Sequence, residues 1–107
     1  MTITATLTKS DGNPAQFGTQ LGTTTLAEPA VWTRVTALDN LAPSGGARVA
    51  LSSDAAQFRF AVMPPRSAQN QTDPDNVPPN NGRLAQNINS VYHAVVPRGG
   101  QVWVKQA

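Results

Sequence analysis

Few residues in this chain could carry out catalysis. It contains one histidine, His93, and six carboxylates: Asp11, Glu28, Asp39, Asp54, Asp73 and Asp75. A histidine acts as a general base when a carboxylate orients it beside a nucleophile. No nucleophile motif such as G-x-S-x-G accompanies His93, and every carboxylate falls in a predicted turn or loop, where aspartate commonly stabilises the backbone. We therefore expect no catalytic residues and no enzyme activity.

Metal and cofactor chemistry has equally little support. The chain has no cysteine, which removes disulfides and thiolate ligands. Asp73 and Asp75 could offer oxygen ligands to calcium, but the surrounding residues lack the other acids, the glycine and the final glutamate of an EF-hand loop. The glycine pairs at 45–46 and 99–100 open no predicted helix, so they indicate turns rather than phosphate-binding loops. We expect neither metal nor cofactor.

The two tryptophans are better suited to contact a partner. In their predicted strands, Trp32 and Trp103 lie opposite the residues expected to point inward. An outward tryptophan is common at protein interfaces, and its ring can also stack on a sugar. The alternative is that both faces of the sheets are packed and both tryptophans belong to the core. The sequence leaves both interpretations open.

Residues 63–86 differ from the rest of the chain. They contain five prolines and many Asn and Gln, but no aromatic residue. This proline density excludes a helix or a central strand. Ordering the backbone costs roughly 1–2 kcal/mol per residue, which so few apolar side chains cannot offset. We therefore predict that 63–87 is a long interaction loop, and that its contacts to neighbouring chains include Arg66, Asn70, Asp73, Asp75, Val77, Asn80 and Arg83.

Alternating apolar and polar residues predict strands along most of the remaining chain. The period-two segments are 1–9, 31–38, 47–51, 57–62, 88–96 and 101–105. Val31 and Val35 are expected to face inward in the second of these, and the fifth supplies the apolar residues Val91, Val95 and Val96 around Tyr92 and His93. The sequence PRGG at 97–100 predicts a hairpin that pairs the last two strands. Residues 15–30 fit either an irregular edge strand or an extended arm.

These elements predict a single domain spanning residues 1–107. No window shows helical periodicity, and Gly, Pro and Asn turns separate the short strands. The pattern is typical of an all-β fold, an antiparallel β-sandwich or jelly-roll-like domain, here with a long Pro/Asn-rich loop.

The charge pattern narrows the expected partners. Only 13% of residues are charged, and a net charge of +2 is spread along the chain. Without a basic patch we expect no nucleic-acid partner, and no apolar run approaches the roughly 20 residues that span a bilayer. The N-terminal residues do not resemble a secretory leader. A neutral polar surface is well suited to being covered by another protein, because desolvating charge is costly.

The ending SVYHAVVPRGGQVWVKQA, the all-β pattern and the Thr/Asn/Gln-rich surface resemble those of small virion proteins of tailed bacteriophages. Among these, the chain is most similar to capsid decoration (cement) proteins. The resemblance implies a β-sandwich or jelly-roll module on the capsid exterior, present as a dimer or trimer. It also implies contact with the major capsid protein or other virion proteins, location in the virion, and assembly in the host cytoplasm. It assigns no functional residue. The alternative is a carbohydrate- or receptor-binding β-domain of a phage fibre or tail, using Trp32, Trp103 and the loop.

Overall fold

The structure is a computed structural model that describes residues 2–9, 20–27, 29–39, 41–42, 46–54, 57–63, 82–87 and 89–107. Its eight strands are β1 (Thr2–Lys9), β2 (Gln20–Ala27), β3 (Thr33–Arg34), β4 (Ala47–Ser53), β5 (Phe58–Met63), β6 (Arg83–Ala85), β7 (Tyr92–Val96) and β8 (Gln101–Gln106). A 3₁₀ turn at Thr36–Leu38 follows β3.

The strands form two antiparallel sheets of four strands each. Sheet A has the order β2-β1-β4-β7, and sheet B has the order β3-β8-β5-β6. The chain changes sheet after β2, β3, β4, β6 and β7, so the sheets are interleaved in a jelly-roll-like manner rather than being two separate meanders. The predicted all-β sandwich is confirmed.

The core lies between the two sheets and follows from the period-two patterns. In β1, Ile3, Ala5 and Leu7 are fully buried, while the threonines between them are half-buried on the other side. Sheet B contributes Phe58 and Phe60 from β5, whose ring centroids are 6.0 Å apart. Burying a large apolar side chain contributes about 1.5–3 kcal/mol. Because buried and half-buried residues alternate, the threonines of β1 all lie on the side of the sheet that faces away from the core.

Residues 20–27 of the predicted arm form an edge strand of sheet A. β2 pairs with β1 from Thr2↔Ala27 onward, and the register shifts between Leu7 and Thr8. The edge-strand interpretation is therefore correct for these residues. Residues 15–19 of the same prediction lie outside the described residues.

The predicted hairpin across residues 97–100 is wrong. β7 pairs with β4 in sheet A, whereas β8 pairs with β3 and β5 in sheet B. The turn itself is tight, because Gly99 has a φ of +79° and the Gly100 amide donates to the Pro97 carbonyl at 2.8 Å. Its effect is to carry the chain from one sheet to the other, so that Val96 and Val102 enter the core from opposite sides.

The predicted strand 31–38 is much shorter in the structure. Val31 is 70% exposed rather than inward. The Val35 amide makes a last ladder bond to the Val102 carbonyl at 2.8 Å, after which Leu38 N–H donates back to Val35. This 3₁₀ turn directs Leu38, which is 3% exposed, into the core. The strand therefore ends at this turn, which buries Leu38 instead of extending the sheet.

The strand predicted at 88–96 directs two of its valines outward. Val91 and Val95 are 56% and 73% exposed. Tyr92 occupies the inward side instead, with its ring edge-on to Phe58 at a centroid distance of 6.5 Å. Asn89 has a φ of +66°, so the extended conformation does not run through the start of the predicted segment. Packing of the Tyr92 ring against Phe58 and Phe60 therefore determines which side of this strand faces the core.

The predicted loop 63–87 is wrong at its C-terminal end. Arg83–Ala85 is the strand β6, and it pairs with β5 in the register Phe58↔Ala85. Ala85 is 1% exposed and belongs to the core. Residues 64–81 lie outside the described part of the chain.

Candidate partner-binding surface

The outward side of sheet A carries an array of threonines. We call it the threonine face and define it as Thr2, Thr4, Thr6, Thr8, Thr23 and Thr25. The register places Thr4 opposite Thr25, and Thr6 opposite Thr23. Adjacent strands lie about 4.8 Å apart, and alternate residues on one strand about 6.8 Å apart. The face is therefore an ordered array of hydroxyl and methyl groups.

Local sequence explains why this array is held in place. In the T-x-T-x-T-x-T pattern of β1, the threonines alternate with the buried Ile3, Ala5 and Leu7, so they point away from the core. Their β-branched side chains also fit a pleated sheet. Thr6 and Thr23 hydroxyl oxygens lie 3.0 Å apart, and the Thr23 hydroxyl also donates to the Ala5 carbonyl at 3.4 Å. A register slip would bury the hydroxyls and expose the core residues.

Charge lies at the ends of the threonine face. Arg48 is opposite Thr8 at one end. At the other end, Asp54 accepts the Thr2 amide at 2.8 Å through its carboxylate. Between them, β4 presents Ala50 and Ser52 beside the threonines. The threonine alternation in residues 2–8 is the signal in the sequence from which this surface could have been predicted.

Trp32 lies outside the buried core cluster and is half-buried. A Cβ at position 82 would lie 2.5 Å from Trp32 Cη2, so the glycine there gives the indole its space. The Lys105 ammonium is 5.7 Å from the ring centroid, within the range of a cation–π interaction. The indole is therefore partly covered by its own chain.

Trp103 is only 3% exposed. It alternates with Val102 and Val104, which belong to the core cluster, whereas Trp103 does not. Its indole N–H donates to the side-chain oxygen of Gln101 at 3.3 Å. The two tryptophans thus differ in accessibility, and Trp32 is the one that a partner could reach.

Arg83 bridges the two sheets at their neighbouring edges. Its guanidinium carbon is 5.2 Å from the Phe60 ring centroid, and one guanidinium N–H donates to the His93 carbonyl at 3.4 Å. Because β6 is the edge of sheet B and β7 the edge of sheet A, this side chain covers part of the open side of the sandwich.

A cleft of about 570 Å³ opens beside Arg83. Its described lining consists of Phe60, Ala61, Val62, Gly82, Arg83 and Ala94. A sugar site combines aromatic rings with several converging polar groups. Among the described lining residues, Arg83 is the one polar side chain and its guanidinium lies over the one aromatic ring, so the cleft has little of that character.

The remaining predicted interface residues are Arg66, Asn70, Asp73, Asp75, Val77 and Asn80, and they lie outside the described residues. Within the described ranges, no group of three His, Asp or Glu side chains is close enough to hold a metal ion. His93 is exposed on β7. The same part of the chain includes no helix long and apolar enough to cross a membrane.

Arg34 and Asp39 form an ion pair beside the 3₁₀ turn. Arg34 Nε lies 3.1 Å from a carboxylate oxygen of Asp39, and both side chains are mostly buried. Burial raises the pKa of Asp39 above its usual 3.8, and the Arg34 charge opposes that rise without cancelling it. The pair is a structural feature of the β3 edge in sheet B.

Comparison with known proteins gives no relative to transfer function from: no family model, curated protein or solved structure matches this chain.

Proposed function

We propose that this protein is a structural virion protein that binds a bacteriophage capsid surface and stabilises it as a decoration (cement) protein. The observation that carries the proposal is the threonine face, an ordered array that is neutral between charged ends. Hydroxyl groups can exchange water for hydrogen bonds to a partner at lower cost than charges can be desolvated. The resemblance of residues 90–107 to phage virion proteins supports the same function.

The proposed partner is the major capsid protein or another virion protein. The exposed Val95, on the same outward side as Arg48, adds apolar area next to the hydroxyl array. Interfaces are typically depleted of charge at their centre and polar at the rim, and this sheet face has that distribution. The oligomer expected on the capsid is a dimer or trimer.

The alternative, a carbohydrate- or receptor-binding domain of a fibre or tail, has one observation in its favour: Trp32 remains accessible. Lys105 lies over that ring, and the described lining of the cleft does not offer converging polar groups. The capsid-binding function therefore has the stronger support. A glycan-binding screen with Trp32→Ala as the control would favour the alternative if sugars bind and the variant does not.

The decisive experiment begins with particles purified from a lysate of the phage that encodes this chain. We expect the protein in intact particles at a fixed ratio to the major capsid protein and accessible to surface biotinylation. Particles stripped of it should release DNA at a lower temperature, and adding the pure protein back should restore the original temperature. Its absence from particles, or unchanged heat resistance after stripping, would overturn the proposal.

Variants then test the threonine face itself. Thr4→Lys places a charge in its middle and should weaken rebinding to stripped particles about tenfold or more, because the charge would be buried without a partner. Thr36→Lys is the matched control, since Thr36 is exposed on the 3₁₀ turn. Equal rebinding by the two variants would show that the face is not the contact surface.

A further inference from the structure

Among the described strands, none pairs with the outer edge of β2, and this edge differs from the other three sheet edges. β3 and β6 contain only two and three residues, and Arg83 donates to the edge of β7. β2 has eight residues, QLGTTTLA, without a charge or a proline. Native sheets usually protect long edges with charges, proline or short length. The edge of β2 has none of these protections.

Hydrogen bonding shows which backbone groups the edge presents. The Thr2 amide donates to Asp54, and the Thr2 carbonyl accepts the Asp54 amide, so both groups of Thr2 point toward β4. The direction of the backbone N–H and C=O groups alternates along a strand, so those of Ile3, Ala5 and Leu7 point toward β2. Their partners are Leu26, Thr24 and Gly22. The residues between them, Thr23, Thr25 and Ala27, therefore direct their N–H and C=O groups away from the sheet.

No hydrogen bond within the described residues uses these outward backbone groups. They are nevertheless regularly spaced, because alternate residues of a strand are about 6.8 Å apart. An added antiparallel strand would satisfy them, provided that its own groups match this spacing. The same edge of a second copy offers that match.

When two β2 edges pair, one register matches Thr23, Thr25 and Ala27 only with one another. If Thr25 lies opposite Thr25 of a second copy, Thr23 meets Ala27 and Ala27 meets Thr23. Each such pair exchanges two hydrogen bonds, so the register satisfies all six outward groups. Shifting the axis to Thr24 would pair Thr23 with Thr25 and leave Ala27 opposite Leu21, where the β1–β2 register is irregular.

Side chains are compatible with this register on both faces. On the inner side, Leu26 would lie opposite Thr24 of the second copy, and Leu26 is only half-buried in the single chain. On the outer side, Thr25 would meet Thr25, a favourable cross-strand pair. No like charges are brought together because β2 has none.

We propose that two copies of this chain associate through β2, with a two-fold axis at Thr25, to form one continuous eight-stranded sheet. The inference rests on the proposed function in taking the protein to act as an oligomer, and it names the surface that makes the oligomer. The paired segment, residues 23–27 of each copy, is five residues long and spans about 17 Å. The two threonine faces become one surface of twice the width, able to engage a capsid at two points.

Cysteine crosslinking tests the register, because the natural chain has no cysteine. In Thr25→Cys the two thiols face each other across the axis, with Cα atoms about 5.5 Å apart, within the range for a disulfide. In Thr23→Cys they are offset by four residues, about 13 Å, although Thr23 is equally exposed. Under mild oxidation we expect covalent dimer from the first variant and little from the second. Equal yields would overturn the register.

Light scattering after gel filtration tests the association. The natural protein should be a dimer, and Thr25→Pro should be a monomer, because proline removes one outward N–H and is tolerated on a strand edge. Thr25→Ser is the control and should remain a dimer. A monomeric natural protein at high concentration would overturn the proposal. If Thr25→Pro does not fold, as judged by circular dichroism, the cysteine pair decides alone.

Particle analysis distinguishes this inference from the proposed function. A β2-linked dimer that is absent from phage particles would overturn the capsid role and leave the dimer standing. A protein that is abundant in particles but monomeric, without the Thr25 crosslink, would overturn the dimer and leave the capsid role standing.

Discussion

At the scale of single residues, close contacts around Trp32 shape the outer surface of sheet B. Gly82 leaves room for the edge of the Trp32 indole, and the Lys105 ammonium covers the ring. The Phe60 carbonyl lies on the same spot, 2.6 Å from where a Cβ at 82 would be. Because that oxygen belongs to the backbone of a paired strand, it cannot move aside cheaply. Glycine at 82 is therefore a packing requirement.

This contact predicts that Gly82→Ala destabilises the protein by about 1–3 kcal/mol, the usual cost of overpacking. Gly22→Ala is the matched control, since a Cβ there would approach Leu41 Cδ1 at 2.8 Å, and that flexible side chain is 37% exposed. We expect the control to cost less. Urea unfolding of both variants measures the difference, and an equally small loss in each would contradict the packing argument.

Asp39 predicts a specific pH dependence. Burial raises its pKa above 3.8, so the folded chain binds this proton more tightly than the unfolded chain does. The resulting stabilisation is fully present below the unfolded pKa and is lost as pH rises through the raised folded pKa. Asp39→Asn has no such proton.

Melting temperatures from about pH 3 to about pH 7, spanning the ordinary carboxyl range, provide the measurement. We expect the natural protein to lose stability relative to Asp39→Asn as pH rises. Asp54→Asn serves as the control at an exposed carboxylate. A natural protein that instead gains stability over the variant would mean that Arg34 outweighs burial.

At the scale of elements, the two open sides of the sandwich are closed by different means. On one side, the 3₁₀ turn brings Leu38 into the core and Leu41 against Gly22 of β2. On the other side, Arg83 spans from β6 to the His93 carbonyl of β7. The first side is sealed by apolar contact, whereas the second retains the cleft.

The β5–β6 pair makes the intervening segment testable. Replacing residues 66–80 with a short Gly/Ser linker should leave the fold intact, because Phe58↔Ala85 pairing and Ala85 burial lie outside it, and closure entropy changes slowly with loop length. Rebinding to stripped particles should weaken if Arg66, Asn70 and the other predicted contacts act there.

Circular dichroism and co-sedimentation report the two outcomes separately. A chain with the full loop length but serine at Arg66, Asn70, Asp73, Asp75, Val77 and Asn80 controls for length. Unchanged particle binding by the linker variant would show that residues 66–80 serve only as a spacer. Loss of folding would show that these residues contribute to the stability of the domain.

At the scale of the whole molecule, low charge is the dominant physical property. Eight basic and six acidic residues leave a net charge of +2, and the described charges beside the threonine face lie at its ends. Association through such a surface depends on hydrogen bonds, methyl contacts and shape. Long-range attraction contributes little.

Particle binding should therefore be nearly independent of salt. Raising NaCl from 0.1 M to 1 M shortens the Debye length from about 10 Å to about 3 Å, and we expect the dissociation constant to change less than about threefold. Co-sedimentation across this range measures it. A steep loss of binding with salt would show that Arg48 or other charged groups dominate the contact.

The sequence by itself determined the fold class and most of the strands. The alternation of β1, β4 and β5 is strict enough to predict which of their residues are buried, since a one-residue slip would invert every side chain. The absence of helical periodicity excluded the other classes. These are local properties, readable from neighbouring residues along the chain.

Tertiary structure alone decided which strands pair and which surfaces remain free. PRGG is a turn in either case, but only the packed structure shows that the strand after it joins the opposite sheet, where Val102 meets the same core as Val96. Tyr92 faces the core in β7 because it packs against Phe58 and Phe60, which are distant from it in sequence. The threonine face requires β1 and β2 in register. Each depends on long-range packing energies that local patterns do not contain.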